Sequence, residues 1–222
     1  MKQTPSLIVM LTHNDVTVEN APEIFEQCRD SKAQYWGMKE EGLPLEQMKQ
    51  LYAQMRDCGK TTFLEVVAYT EEAGLAGAEI AAACGCDILM GTLFFDSIHR
   101  FCQDHQMKYM PFVGKIHHRP SILEGTVEEM VAQAKAYLQK GVYGIDLLGY
   151  RYRGDGAALN RAVVRAVDGP VCIAGSIDSF ARLDEVREAA PWAYTIGSAF
   201  FEHKFGGSFR EQIDRVCGYM ER

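Results

Sequence analysis

Two carboxylates, Glu65 and Asp146, each interrupt an otherwise apolar segment of strand length in this chain of 222 residues. An unpaired charge in such a segment would cost several kcal/mol. Lys39 and Lys115 are the cations best placed to balance these acids. Such a pair is either a structural salt bridge or a general base beside a lysine that stabilises an enolate. The sequence leaves both interpretations open, and we expect the functional one.

Two short apolar segments near the C-terminus each end in a glycine followed by a serine. The sequence predicts strands at residues 171–174 and 192–196, each leading through its Gly-Ser pair into a helix. Strand ends and helix starts leave backbone N–H groups without partners, and two such ends side by side suit a phosphate dianion. The expected phosphate-binding residues are Gly175, Ser176, Ile177, Gly197 and Ser198.

The runs AGSI (174–177) and IGSA (196–199), at this spacing, resemble the ribulose-phosphate-binding (β/α)8 barrels. That superfamily includes sugar-phosphate isomerases of histidine and tryptophan biosynthesis, sugar-phosphate epimerases and related decarboxylases. Its members usually have a second glycine where this chain has Ser176. The serine reduces backbone freedom at this position and supplies a hydroxyl donor. The resemblance is specific over about the last quarter of the chain. Over the rest of the chain it is limited to the alternation of predicted strands and helices.

About eight strand–helix units alternate along the whole chain with short connections, which predicts an α/β protein with one (β/α)8 TIM-barrel domain over residues 1–222. Continuous apolar runs, such as residues 6–11, are typical of strands that are covered on both faces. An open doubly wound sheet would normally carry a glycine-rich turn after its first strand, and this chain has none there. The phosphate site would then follow strands seven and eight.

Residues at the C-terminal ends of barrel strands face the site, and this rule selects the candidate side chains. The catalytic candidates are Asp15, Lys39, Glu65, Lys115, His117 and Asp146. The substrate-binding candidates are His13, Thr92 and Arg151. Asp15 resembles the strand-one acid of the histidine-pathway isomerase, but it could equally cap the turn that follows.

The expected activity is isomerisation or epimerisation of a small phosphorylated sugar by proton transfer next to a carbonyl. Glu65 or Asp146 would be the base and Asp15 or His117 the acid, while the two lysines would stabilise an enediolate. One alternative is a Schiff-base aldolase or lyase that uses Lys115 or Lys39. Another is a phosphometabolite-binding protein without catalysis.

The sequence predicts no metal and no other cofactor. A divalent ion could suit the side-chain types of Glu65, His117 and Asp146, but no ligand spacing within one element supports a site.

A net charge of −7 without a basic stripe disfavours nucleic acid as a partner. No apolar run is long enough to span a membrane, and the seven scattered cysteines suggest reduced thiols, so we expect a cytoplasmic protein. The sequence leaves assembly into a homo-oligomer open.

Overall fold

The computed structural model describes residues 4–222, which form a ring of parallel strands surrounded by helices. The barrel strands are β1 (Ser6–Met10), β2 (Tyr35–Lys39), β3 (Thr61–Val66), β4 (Ile88–Gly91), β5 (Lys108–Met110), β6 (Ile145–Leu147), β7 (Val171–Ile173) and β8 (Ala193–Ile196). The helices are α1 (Ala21–Cys28), α2 (Leu45–Asp57), α3 (Glu71–Ala83), α4 (Asp96–Asp104), α5 (Val127–Gln139), α6 (Gly156–Ala166), α7 (Phe180–Ala189), α8 (Ser198–Phe201) and α9 (Phe209–Met220). The predicted (β/α)8 barrel is confirmed.

Each strand pairs in parallel with the next one in the chain except β5 and β6, which are linked only by an isolated parallel bridge between Phe112 and Asp146, and β8 returns to pair with β1. Two backbone hydrogen bonds join β5 to β6 and complete the ring. The amide of Tyr143 donates to the Tyr109 carbonyl at 3.0 Å, and the amide of Asp146 donates to the Pro111 carbonyl at 3.0 Å. The carboxyl ends of all eight strands therefore lie at one rim.

Alternation along the strands separates two apolar cores, because successive side chains point to opposite faces. Leu7 and Val9 of β1 pack outward against the helices, in the larger core. The inward core of the barrel consists of Ile8, Met10, Phe63, Ile88, Met90, Met110, Cys172 and Ala193. Burial on both faces explains why these strands read as continuous apolar runs.

The same alternation carries Lys39, Glu65 and Asp146 toward the barrel interior. Glu65 lies two residues after the inward Phe63 on β3, and Lys39 is its Cα partner on β2. Asp146 is the Cα partner of the inward Cys172. Sheet register thus collects three ionisable side chains above the inward core.

Local capping signals set the helix boundaries. The capping box predicted at Thr126 and Glu129 is present at the start of α5. Thr70 caps α3 by accepting a hydrogen bond from the amide of Ala73. Helical spacing of apolar residues in the sequence predicts helices over residues 45–57 and 209–220, and the bounds of α2 and α9 confirm both.

Two short antiparallel hairpins lie outside the ring and were not predicted. The first hairpin pairs Thr12–His13 with Val16–Thr17, and its central residues Asn14 and Asp15 have φ of 50° and 70°. Two successive positive φ values are typical of a type I′ turn, which suits a two-residue hairpin loop. The second hairpin pairs Lys115–His117 with Ile122–Glu124.

The second hairpin corrects the prediction for strand five. Residues 108–113 were expected to form one strand, but β5 ends at Met110. Lys115 and His117 therefore belong to the hairpin and do not mark a strand end. Within residues 4–222, none of the helices combines the length and apolarity that crossing a membrane requires.

Candidate active site

A cavity of about 710 Å³ opens at the rim formed by the carboxyl ends of the strands. Its walls come from the loops after β1, β2, β6, β7 and β8, from β3, and from the tip of the second hairpin. All five residues predicted to bind phosphate line it, together with Asp15, Lys39, Glu65 and Arg151. The structure therefore brings most of the predicted site into one space.

The loops after β7 and β8 form the glycine–serine cradle, which we define as Gly175, Ser176, Ile177, Gly197 and Ser198. Gly175 and Ser176 have φ of 84° and 49°. Ser176 thus adopts a left-handed conformation that glycine adopts without cost and that other residues adopt with strain. Successive residues of this kind can form a concave nest of N–H groups that suits an anion.

Only one of the two Gly-Ser pairs opens a helix directly. Gly197 precedes α8, whose first residue is Ser198. After Gly175 and Ser176 the chain continues as a loop, and α7 begins at Phe180 with Ser179 as its cap. The expectation of a helix at both pairs is therefore wrong for the first of them, although both pairs face the same cavity.

Arg151 lies beside the cradle. Its Cγ atom would be 2.8 Å from a β-carbon placed on Gly175, so the side chain packs directly on this turn. Within residues 4–222 no carboxylate forms an ion pair with Arg151. The cavity thus has an arginine charge next to the backbone groups of the cradle.

Lys39 lies between two carboxylates on the inner side of the cavity. Its Nζ donates a hydrogen bond to Asp15 Oδ1 and lies 3.7 Å from Glu65 Oε1. Burial by itself would lower the pKa of Lys39, but the charges of Glu65 and Asp15 outweigh it, and the pKa is raised above its ordinary value. Lys39 therefore carries a fixed positive charge at neutral pH.

Arg119 approaches the same acids from the tip of the second hairpin. Its Nε donates to Asp15 Oδ2 at 2.9 Å, so Asp15 is held between Arg119 and Lys39. One of its terminal nitrogens lies 3.0 Å from Glu41 Oε1 and 3.4 Å from Glu40 Oε1. Arg119 was not predicted as a site residue, and the long connection in which it lies gave no local signal.

Asp146 lies below the cavity and does not line it. The residue is fully buried, and neither carboxylate oxygen has a hydrogen-bond partner among residues 4–222. Burial first, and then the charge of Glu65, raise the pKa of Asp146 well above its usual value. Of the two strand carboxylates, Glu65 lines the cavity and Asp146 does not.

Besides Asp146, four predicted side chains lie outside the cavity lining. Lys115 is exposed on the second hairpin, and His117 Nε2 lies 3.1 Å from Glu124 Oε2. His13 stacks on the ring of Phe201, while Thr92 is buried with its hydroxyl 2.6 Å from that of Tyr109. The expected pairing of Lys115 with the buried acids is therefore wrong.

The metal alternative is not supported by the arrangement of side chains. Glu65, His117 and Asp146 were the candidate ligands, but His117 lies on the second hairpin while the two acids lie in the barrel. Among residues 4–222, no group of three or more His, Cys, Asp or Glu side chains is arranged to hold a metal ion.

No protein-family model and no curated protein matches this sequence. Solved structures do match its fold. An orotidine 5'-phosphate decarboxylase from Pyrococcus horikoshii OT3 superposes with a TM-score of 0.71 at 11% identity, covering 97% of this chain and 99% of that one. An N-(5'-phosphoribosyl)anthranilate isomerase from Pyrococcus furiosus gives 0.66 at 11% identity, covering 98% of each chain.

An N-acetylmannosamine-6-phosphate 2-epimerase from Clostridium perfringens gives a TM-score of 0.65 at 10% identity, covering 87% of this chain and 86% of that one. At these identities the likeness shows the fold alone. The (β/α)8 barrel fold expected from the sequence is therefore confirmed.

Proposed function

We propose that this protein is an enzyme that isomerises or epimerises a small phosphorylated sugar by moving a carbon-bound proton next to a carbonyl. One observation carries the proposal: a single cavity contains both the glycine–serine cradle and the Lys39–Glu65 pair. The first feature suits a phosphate, and the second suits proton abstraction with stabilisation of the resulting charge.

The phosphate would lie on the cradle. Backbone N–H groups at its two turns and the hydroxyls of Ser176 and Ser198 are hydrogen-bond donors, and Arg151 adds a positive charge beside Gly175. The amide of Asn14 donates to Ser198 Oγ at 3.3 Å, which ties the first hairpin to this end of the cavity. Binding energy from a phosphate held here would orient the reacting carbons toward Lys39 and Glu65.

Glu65 is the proposed base because it lines the cavity, whereas Asp146 is fully buried below it. Glu65 would take the proton from the carbon beside the carbonyl; the electron pair of that C–H bond would form a C=C bond while the carbonyl π pair moves to the oxygen. The ammonium of Lys39 would stabilise the negative charge of this enediolate. Return of the proton from Glu65 to the former carbonyl carbon, with transfer of a proton from the neighbouring hydroxyl to the former carbonyl oxygen, completes an isomerisation. An epimer would form if the original carbon took a proton from water on its opposite face while Glu65 released its proton to solvent.

A Schiff-base mechanism is less compatible with the geometry. A lysine nucleophile must be neutral, but Lys39 is paired with two carboxylates and its pKa is raised. Lys115 is exposed outside the cavity. We therefore expect borohydride treatment in the presence of phosphosugars to leave the chain unmodified.

Exchange of substrate protons with solvent deuterium tests the proposal. Incubation with a panel of ketose and aldose phosphates in D2O, followed by NMR, should show deuterium entering at the carbon beside the carbonyl for at least one compound. Glu65→Gln should slow this exchange by about 10²–10⁴-fold, the usual contribution of a general base, and should retain phosphosugar binding. Glu124→Gln, on the second hairpin outside the cavity, is the control.

Equal exchange by the parent protein and Glu65→Gln would exclude Glu65 as the base. Binding without exchange for every compound would instead support a protein that binds a phosphometabolite without transforming it.

A further inference from the structure

The two ends of the cavity differ in how their cations are paired. At the inner end, four carboxylates contact only two cations: Lys39 contacts Asp15 and Glu65, and Arg119 contacts Asp15, Glu40 and Glu41. Glu40 lies behind the lining, and burial raises its pKa. The three acids that line this end, Asp15, Glu65 and Glu41, outnumber its two cations by one. At the cradle end, Arg151 forms no ion pair within residues 4–222.

Both inner cations, Lys39 and Arg119, already form ion pairs with carboxylates of the protein. Asp15 is 17% exposed and bonded to both of them, and Lys39 is 8% exposed, so water screens this part of the cluster weakly. A substrate carboxylate at this end would need to displace Asp15, Glu65 or Glu41 from its cation. The displaced acid would then lie unpaired beside the incoming one, and like charges at such short range repel each other.

Hydroxyl or ammonium groups of a substrate would be favoured at the inner end, unlike a carboxylate. The inner acids have lone pairs that can accept hydrogen bonds, and their excess negative charge attracts a cation. The cradle end suits an anion because Arg151 and backbone N–H groups lie there, and solvent screens its exposed acids Asp178 and Glu202, as it screens Glu41 at the inner end. The cavity therefore fits a molecule with one phosphate and a remote end that carries donors.

We propose that the inner acids select a monophosphorylated sugar whose remote end bears hydroxyl or amino groups, and that they reject sugar acids. This inference rests on the proposed function, because it assumes that the phosphate occupies the cradle. It narrows the substrate class to neutral or amino sugar phosphates and disfavours phosphorylated keto acids and aldonates.

Three six-carbon probes with one phosphate each separate the possibilities: glucose 6-phosphate, glucosamine 6-phosphate and 6-phosphogluconate. Calorimetry at low ionic strength should show 6-phosphogluconate binding at least about tenfold more weakly than the other two, a difference that shrinks as added salt screens the charges. Glu41→Gln removes one acid from the cavity wall and should reduce the difference in affinity between 6-phosphogluconate and the other two probes. Glu128→Gln, an exposed residue of α5, changes the net charge equally and should leave the difference unchanged.

The outcomes distinguish this inference from the function on which it rests. If 6-phosphogluconate binds as tightly as glucose 6-phosphate or more tightly, the inference is overturned while phosphate binding stands. If none of the three probes binds, or if Arg151→Gln leaves their affinities unchanged, the proposed phosphate end is itself wrong.

Discussion

The Nζ atom of Lys39 lies 3.7 Å from Oε1 of Glu65, and the two side chains are only 8% and 9% exposed. The residues are Cα partners on the neighbouring strands β2 and β3, so sheet register fixes their pairing. A slip of one residue would place them on opposite faces of the sheet. Parallel pairing in the barrel thus holds a carboxylate and a cation side by side, and they share a cavity with the cradle.

Replacing Lys39 with methionine should destabilise the protein. The substitution leaves Glu65 without its cation and removes one of the two cations that hold Asp15, and breaking a buried ion pair typically costs about 3–5 kcal/mol. Urea unfolding followed by circular dichroism measures the free energy of unfolding. Lys115→Met, at an exposed position, should change it by less than about 0.5 kcal/mol. A loss below about 1 kcal/mol for Lys39→Met would show that the acids do not depend on this lysine.

Asp146→Asn should stabilise the protein increasingly as the pH rises. The pKa of Asp146 is raised in the folded state, so above about pH 4 the unfolded chain loses this proton while the folded chain keeps it. Asp146 therefore lowers the free energy of unfolding of the parent protein as the pH rises above about 4. The decrease is up to about 1.4 kcal/mol per pH unit until the pH reaches the raised pKa. Asparagine has the same shape and does not ionise, which removes that loss.

The measurement for Asp146 is the difference in unfolding free energy between variant and parent at several pH values from 3 to 7. We expect the difference to be smallest below pH 4, where the aspartate is protonated in both states, and to grow above it. A difference independent of pH would mean that Asp146 ionises alike in the folded and unfolded chains.

Ser176→Gly should stabilise the cradle without removing its backbone donors. Ser176 has φ of 49°, and a left-handed conformation costs a non-glycine residue about 1–2 kcal/mol. The greater freedom of glycine in the unfolded chain offsets part of the gain, so we expect about 0.5–1 kcal/mol. Ser176→Ala keeps the strain and removes the hydroxyl, so comparison of the two variants separates the turn conformation from the donor. Destabilisation by Ser176→Gly would show that the serine side chain stabilises this turn.

The barrel and the cradle could be predicted from the sequence because both depend on local features. Continuous apolar strands, the Thr126 capping box and short connections are each visible within a few residues. The cradle uses backbone groups, whose position follows from where β7 and β8 end. Asp15 and Lys39 both line the cavity, Lys39 as the last residue of β2 and Asp15 in the hairpin turn after β1.

The rest depends on contacts between distant parts of the chain. Arg119 bonds Asp15 across 104 positions in the sequence, and nothing near Arg119 indicates that contact. Lys115 and His117 were assigned by counting along strand five, which ends at Met110, before the turn that contains Gly114 with φ of 87°. The Asn14–Asp15 turn could have been predicted, because asparagine and aspartate tolerate positive φ at the centre of a two-residue hairpin.

The central claim is that the cradle and the Lys39–Glu65 pair act on the same bound molecule. A crystal soaked in inorganic phosphate tests it most directly. We expect the anion to contact the backbone amides near Ser176 and Ser198, with Glu65 within about 6–8 Å, the length of two or three sugar bonds beyond contact. An anion bound elsewhere, or a cradle closed by side chains with Glu65 out of reach, would contradict the claim.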